Sequence, residues 1–193
     1  EGFETASSGV FGHGGVNIGP AGGYIFHQND SYEDLSNPYQ NGWRYLEAAP
    51  ANVGGAAQEY VFGYYRPEGG TSVEVGTYTS LGAGADNTTA LINAMGPAAY
   101  TTSGGTGTTT AFAARMCDEY TLNSYSDWFL PTKDDMSRMY ENLMSRDLGS
   151  FSALAYWTSS ESTRLLVWYR YRTGTEGTYY RDSDHYVRPA RTF

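Results

Sequence analysis

The densest chemistry in this sequence is the run Tyr179-Tyr180-Arg181-Asp182-Ser183-Asp184-His185-Tyr186. It has no apolar periodicity, so neither a helix stripe nor a strand alternation accounts for it. Tyrosine gives large contact area at little cost in conformational entropy, while Ser and Asp give adaptable hydrogen bonds, which is the palette of a binding surface. A strand period of two over Leu165–Thr173 puts Leu165, Val167, Tyr169 and Tyr171 on one side and Leu166, Trp168, Arg170 and Arg172 on the other. Neither side is wholly apolar, so one of them carries amphipathic groups toward water or a ligand. The bland alternative is a tyrosine-rich antiparallel sheet with polar outer positions.

Catalytic constellations are not evident. Thr158-Ser159-Ser160-Glu161-Ser162 is rich in hydroxyls, but no His is placed in sequence to nominate a triad, and no Gly-x-Ser-x-Gly elbow occurs. His13, His27 and His185 stand apart, without an HExxH pair or a calcium loop of EF-hand spacing. The Gly clusters lack the Lys-Ser/Thr ending of a phosphate loop. Asp134-Asp135 falls in the first turn of a helix, where carboxylates favour the macrodipole, and Asp118-Glu119 reads as a solvated helix face. Cys117 is the only cysteine, which excludes an intrachain disulfide and a Cys-based metal site. It lies in an apolar helical pattern and reads as a buried, inert thiol.

The elements that must position the C-terminal run are legible in outline. Residues 1–16 are a Gly/Ser-rich tail or linker, and 17–193 form one domain. Strand patterns cover Gly23–Gln28, Gly42–Ala49, Tyr60–Tyr65, Ala155–Ser162, Leu165–Thr173 and Tyr186–Thr192, with Thr173–Gly177 as a turn before Thr178–Tyr180. One helix starts after Asp86 and ends at Gly96-Pro97, a stop signal. A second spans about Thr109–Tyr120, after a Gly/Thr loop over Thr101–Thr110. The third begins at Thr132, whose capping box with Asp135 precedes a core stripe of Met136, Met139, Tyr140, Leu143 and Met144. Helices in the middle and aromatic strands at both ends predict an α+β domain with its termini near each other in a sheet.

The chain has 193 residues, a net charge of -9 and a pI near 4.7, which excludes a generally basic nucleic-acid binder. No long uncharged apolar run exists, so no membrane span is expected. The charge is uneven. Residues 162–193 hold Arg164, Arg170, Arg172, Arg181, Arg188 and Arg191 against Glu176, Asp182 and Asp184, a sum of +3, which leaves -12 on residues 1–161. Arg and Tyr dominate interface hot spots, so this segment is the expected recognising part, and its positive sum favours an acidic partner. The chain begins at Glu1, as a processed chain or excised domain does, with no signal peptide in view.

Several motifs, taken together, carry a family resemblance. Asn17–Phe26 (NIGPAGGYIF), Gly42–Pro50 (GWRYLEAAP), Ser126–Met136 (SDWFLPTKDDM), Tyr156–Glu161 (YWTSSE) and Val187–Phe193 (VRPARTF) resemble, in order, the motifs of the Lcl-like family, the C-terminal domains of collagen-like bacterial adhesins. The resemblance covers about residues 17–193 and implies a C-type-lectin-like fold, related to that of formylglycine-generating enzymes. Within it, the C-terminus is most similar to variable proteins of diversity-generating retroelements, whose displayed positions are diversified by adenine-directed mutagenesis, often at asparagine codons. Adenine replacement there yields Tyr, Asp, Ser, His, Arg, Thr, Gly or Leu but never Lys, Gln, Glu, Met or Trp. Between Ser162 and Tyr186 there is no Lys, Gln or Met, and the exceptions Trp168 and Glu176 fall to fixed scaffold.

The resemblance implies a variable segment of about 162–186. Its displayed positions are Ser162, Thr163, Arg164, Leu165, Tyr169, Tyr171, Thr175, Tyr179, Tyr180, Asp182, Ser183, Asp184 and His185, with Trp157, Trp168, Arg188 and Arg191 as scaffold. The calcium-binding triplets of sugar-binding C-type lectins are missing, so no cofactor is expected beyond a structural calcium or other ion. A single cysteine argues against formylglycine-generating oxidase chemistry. The expectation is a non-enzymatic recognition domain, extracellular or on a virion or cell surface, that binds a protein or glycan on a target cell. The alternative within the family is a constant adhesin for polysaccharide or glycosaminoglycan. A virion component without a ligand would instead bury the C-terminal aromatics.

Overall fold

The computed structural model describes residues 17–33, 36–63, 74–96, 100–101 and 108–193. The Gly/Ser-rich tail over 1–16 lies outside the described residues. The chain is mixed α and β, with three helices and small antiparallel sheets among the described residues. In order, β1 is Tyr24–Gln28, β2 Tyr45–Ala48, β3 Tyr60–Val61, α1 Gly84–Met95, β4 Tyr100–Thr101, β5 Thr108–Thr109, α2 Ala113–Asp118 and α3 Lys133–Asn142. They are followed by β6 Ala155–Glu161, β7 Leu166–Tyr171, β8 Glu176–Tyr180, β9 Asp184–His185 and β10 Ala190–Thr192. The sheets are β1-β2-β10, β3-β9, β4-β5 and β6-β7-β8. The first and last strands therefore share one sheet through β2, as the terminal aromatic strands predict.

The third helix forms for the reasons its sequence states. The Thr132 side chain accepts from the Asp135 amide at 3.0 Å, and the Asp135 carboxylate accepts from the Thr132 amide at 2.9 Å, closing the capping box. Met136, Met139, Leu143 and Met144 are buried with Phe26, Leu46, Phe151, Tyr156 and Tyr186. A second cluster gathers Phe62, Leu91, Phe112, Leu130, Trp157, Val167 and Val187. The two clusters meet along β6, where Tyr156 and Trp157 point to opposite sides of the strand. Cys117 is fully buried, and burial, with the charge of Asp118 second, pushes its thiol well above the usual range.

Four expectations are corrected. The second helix is only Ala113–Asp118, because Thr108–Thr109 pairs with Tyr100–Thr101 instead of continuing it. The third strand is confined to Tyr60–Val61, with Tyr64 and Tyr65 outside the described residues. Glu176 and Gly177 belong to β8 and not to the preceding turn. That turn closes through Tyr171 N–H to Thr175 O and Gly174 N–H to Tyr171 O, at 2.8 and 2.9 Å. Gly174 has φ +97, and a Cβ there would strike the Tyr140 ring. The stretch 186–192 is not one strand. Its first residues follow the two-residue β9, Pro189 has no N–H to give a ladder, and pairing resumes only at Ala190.

The Gly-rich stretch at 19–23 also has a structural use. Glu47 is fully buried, and its carboxylate accepts from Gly23 N–H at 2.6 Å and Ala21 N–H at 3.4 Å while pairing with Arg191 at 3.2 Å. A Cβ at Gly19 would collide with this carboxylate. The glycines therefore cradle an acid of the chain itself.

Candidate recognition face

The β6-β7-β8 sheet has two unlike faces. On the α3 side, Lys133 Nζ sits 4.8 Å from the Trp168 ring centre and 3.1 Å from Glu176. Arg170 stands 5.4 Å over Tyr140 and bonds Ser137 Oγ at 2.8 Å and Glu176 at 2.5 Å. Arg172 pairs with Asp147. This side is a closed network of aromatic stems and paired charges.

The other face carries the tyrosines. Trp157 is fully buried, donates its indole N–H to Tyr60 O at 2.8 Å and forms the floor. The His185 ring lies on it at 4.1 Å between centroids. Tyr169 meets His185 at 5.3 Å, Tyr171 at 5.4 Å and Tyr179 at 6.2 Å, with interplanar angles of 67°, 89° and 79°. Tyr179 in turn meets His185 at 5.7 Å and Tyr180 at 6.2 Å. Edge-to-face packing of this kind suits ring quadrupoles. Gly177 lies opposite Tyr169 in the ladder, and a Cβ there would stand 2.9 Å from its hydroxyl, so the missing side chain makes room for the ring.

His185 arrives through a pairing that strand periodicity does not reveal: β9 runs antiparallel to β3, with His185 opposite Tyr60 and Asp184 opposite Val61. Burial lowers its imidazole to about 4, against a smaller raising effect from a backbone hydrogen bond at Asp184, so the ring is neutral at pH 7 and packs as an aromatic. Beyond β9 lies an open cleft of about 450 Å³, lined by Gln58, Glu59, Tyr60, Thr109 and Asp184 among others. Glu59 is the residue that sequence reading missed here. Burial, and then the charge of Asp184, raises its carboxyl.

The positions expected on display fall into three groups. Tyr169, Tyr171, Tyr179 and His185 form one ring patch, followed in the chain by the turn that carries Asp182 and Ser183, and Tyr180, opposite Leu166 and so on the Trp168 side by register, meets Tyr179 at the edge of the sheet. Tyr179 and Tyr180 are 49% and 59% exposed, so the reading that buries the C-terminal aromatics does not describe them. Ser162, Thr163, Arg164 and Leu165 form the β6–β7 turn at the Tyr180 end. There Thr163 and Arg164 are exposed, and Thr163 Oγ1 accepts from the Leu165 and Leu166 amides at 3.2 and 3.1 Å. Thr175 is exposed at the opposite end of the β7-β8 hairpin, beside Tyr171 and away from the β6–β7 turn.

The arginine-rich character of the segment needs correction as a surface property. Arg181, Arg188 and Arg191 are buried. Arg170, Arg172, Arg181 and Arg191 pair with Glu176, Asp147, Glu161 and with Glu47 and Asp127, respectively. Four of those five acids come from residues 1–161, so the formal +3 is largely neutralised inside the fold. It does not form a positive patch for an acidic partner.

The hydroxyl run before the segment is also structural. Thr158 donates to Trp168 O at 2.8 Å, Ser159 accepts from Asn87 at 3.0 Å, and Ser160 donates to Tyr78 O at 2.8 Å while accepting from the Lys133 amide at 3.0 Å. All three residues are buried. The run spans a bulge, with Trp157 opposite Tyr169 but Glu161 already opposite Val167. Among the described residues no group of His, Cys, Asp or Glu is arranged to hold a metal ion, and no helix is long and apolar enough to cross a membrane. No protein-family model and no curated protein sequence matches the chain.

Proposed function

We propose that this chain is a non-enzymatic recognition domain of C-type-lectin-like fold, which presents diversified side chains to a protein or glycan on a target cell surface. Retroelement-diversified variable proteins work in this way, and the C-terminal segment resembles theirs. The setting is extracellular, on a virion or on a cell. The observation that carries the reading is the split within 162–186. Thr163, Arg164, Thr175, Tyr179, Tyr180 and Asp184 are exposed, while Arg170 and Arg181 are held in ion pairs with Glu176 and Glu161. Ring patches of this size are where binding energy concentrates, and a scaffold closed on its other side keeps the fold constant as that face changes.

The test is population sequencing of the coding region. Variation is expected at the codons for residues 162–165, 169, 171, 175, 179, 180 and 182–185, as replacements of adenines. The codons for Trp157, Trp168, Arg181, Arg188 and Arg191 are expected to stay fixed, with a reverse transcriptase and a near-repeat of the region close by. Variation spread evenly along the gene, without adenine bias, would overturn diversification.

A further inference from the structure

The outer edges of the two three-stranded sheets are treated unequally. Along β1, Ile25 N–H donates to Asn17 O at 2.9 Å, and along β10, Phe129 and Ala190 exchange N–H to O bonds of 2.8 and 2.9 Å. Beside β6, Trp157 N–H reaches Tyr186 O at 3.0 Å and Ser159 N–H reaches Pro131 O at 2.7 Å. The outer edge of β8 has no such cover among the described residues.

The ladder determines which backbone groups β8 leaves open. Hydrogen-bonded and non-hydrogen-bonded pairs alternate along antiparallel strands. Tyr171 N–H donates to Thr175 O at 2.8 Å at one end, and Arg181 N–H to Leu165 O at 3.1 Å at the other. In that register Gly177 and Tyr179 bond Tyr169 and Val167, whereas Glu176, Thr178 and Tyr180 turn their N–H and C=O groups away from β7. The Tyr180 carbonyl accepts from Ser183 N–H at 3.0 Å. The three N–H groups and the Glu176 and Thr178 carbonyls have no partner among the described residues. Open edges are ordinarily blunted by lysine, proline or a bulge. β8 has none of these, and its one charge, Glu176, is met by Lys133 and Arg170 at 3.1 and 2.5 Å.

Outward N–H and C=O groups repeating at every second residue are the complement of another extended backbone. A glycan has no such repeat. A second copy of the chain sets its own net charge of -9 against that of the first. Resting on the recognition reading above, we infer that β8 takes an extended segment of a protein partner as a fourth strand of the β6-β7-β8 sheet, antiparallel like the rest. Backbone bonds at Glu176 and Thr178, outside the positions expected to vary, give an attraction that survives changes in the displayed side chains. Specificity falls to the partner's alternate side chains. Those opposite Gly177 and Tyr179 lie on the Tyr169 side, where β-branched or aromatic residues pack best.

The experiment reads amide hydrogen exchange of the full chain by NMR, alone and with acetyl-Ser-Thr-Val-Thr-Val-Thr-Ser amide, acetyl-Ser-Pro-Val-Pro-Val-Pro-Ser amide or maltoheptaose. In the free chain the Gly177 and Tyr179 amides are expected to exchange at least about tenfold more slowly than that of Thr178. The Thr-Val peptide is expected to bind with a Kd of about 1 mM, and to slow the Thr178 amide about tenfold when about 90% of the chain is bound. The proline peptide and maltoheptaose leave that amide unchanged. Thr178→Pro removes an N–H that β7 does not use, which an open edge tolerates, and weakens the Thr-Val peptide at least about tenfold. Thr178→Val keeps the N–H and stays within about twofold of the parent. A Thr178 amide as protected as Gly177 at every protein concentration, or a Thr178→Pro chain that does not melt cooperatively, overturns the open edge. A Thr178 rate unmoved by millimolar Thr-Val peptide, or slowed equally by maltoheptaose, overturns the peptide partner. Protection that grows with protein concentration alone assigns the edge to a second copy and overturns it too. The recognition reading fails separately, if the coding positions expected to vary turn out invariant.

Discussion

Arg181→Ala is expected to destabilise the fold by about 3–5 kcal/mol, the cost of stranding a buried partner charge, and to lower the melting temperature by roughly 10 °C for a chain of this length. The side chains of Arg181 and Glu161 are each 1% exposed and pair at 2.5 Å. Arg181 also donates to Arg164 O at 2.9 Å and lies 5.1 Å over Phe62. Glu161 is the hub of a longer connection. Its Oε2 accepts from the Val75 and Gly76 amides at 2.9 and 3.1 Å, and its own amide donates to Thr77 Oγ1 at 2.7 Å. Removing the guanidinium leaves the buried Glu161 carboxylate without its counter-charge. The double variant Glu161→Gln with Arg181→Met removes both charges at nearly constant volume, and is expected to recover part of the loss. Urea unfolding of the three proteins checks this, and a loss below about 1 kcal/mol for Arg181→Ala would mean the pair is not needed. Arg181 stands between Tyr180 and Asp182, both expected on display, so under the proposed reading a buried anchor lies in the middle of a changeable run.

Arg188→Ala is the second large effect, also expected at about 3–5 kcal/mol, though for a different reason. Arg188 is fully buried, and no carboxylate lies within ion-pair distance of it among the described residues. Its charge is met by Asn52 Oδ1 at 3.0 and 2.7 Å, Ala49 O at 2.9 Å, Gly149 O at 2.8 Å and Ser150 O at 3.3 Å. Phe151 stacks on the guanidinium at 4.0 Å. Gly149 and Ser150 have φ +83 and +49, and this left-handed pair turns two successive carbonyls toward the guanidinium. Burial lowers the Arg188 pKa to about 10, which leaves the group charged at pH 7. Alanine strands the acceptors, and lysine lacks the planar fork to satisfy them. Arg188→Lys is therefore expected to recover little in a thermal melt, and a melting temperature within about 2 °C of the parent would contradict this.

What the sequence made legible was local. The capping box of Thr132 and Asp135 spans three residues, and the Met136–Met139–Leu143 stripe follows from helical period alone. The alternation in β7 also separates correctly, with Trp168 and Arg170 over α3 and Val167, Tyr169 and Tyr171 on the other side. What failed depends on distant partners. The acids that consume Arg191 and Arg181 are as far away as Glu47 and Glu161, so a charge sum over a segment cannot distinguish a structural arginine from a displayed one. Tyr156 and Tyr186 are core, while Tyr179 and Tyr180 are surface, although the four residues belong to the same aromatic composition. The bulge in β6 and the pairing of His185 with Tyr60 decide which rings meet, and neither leaves a periodic signal. Glu59 entered the site by the same pairing.

The separation of a changeable face from a fixed frame is tested most directly by randomising Thr163, Arg164, Tyr179, Tyr180, Asp182, Ser183 and Asp184 together in the otherwise unaltered chain. Thermal melts of individual library members then report whether the frame tolerates the change. Because Thr163, Arg164, Tyr179, Tyr180 and Asp184 are exposed, and surface substitutions typically change stability by no more than about 0.5 kcal/mol each, most members are expected to melt cooperatively within about 5 °C of the parent. A library whose members mostly fail to fold would show that these side chains hold the structure together, and would contradict their role as a display.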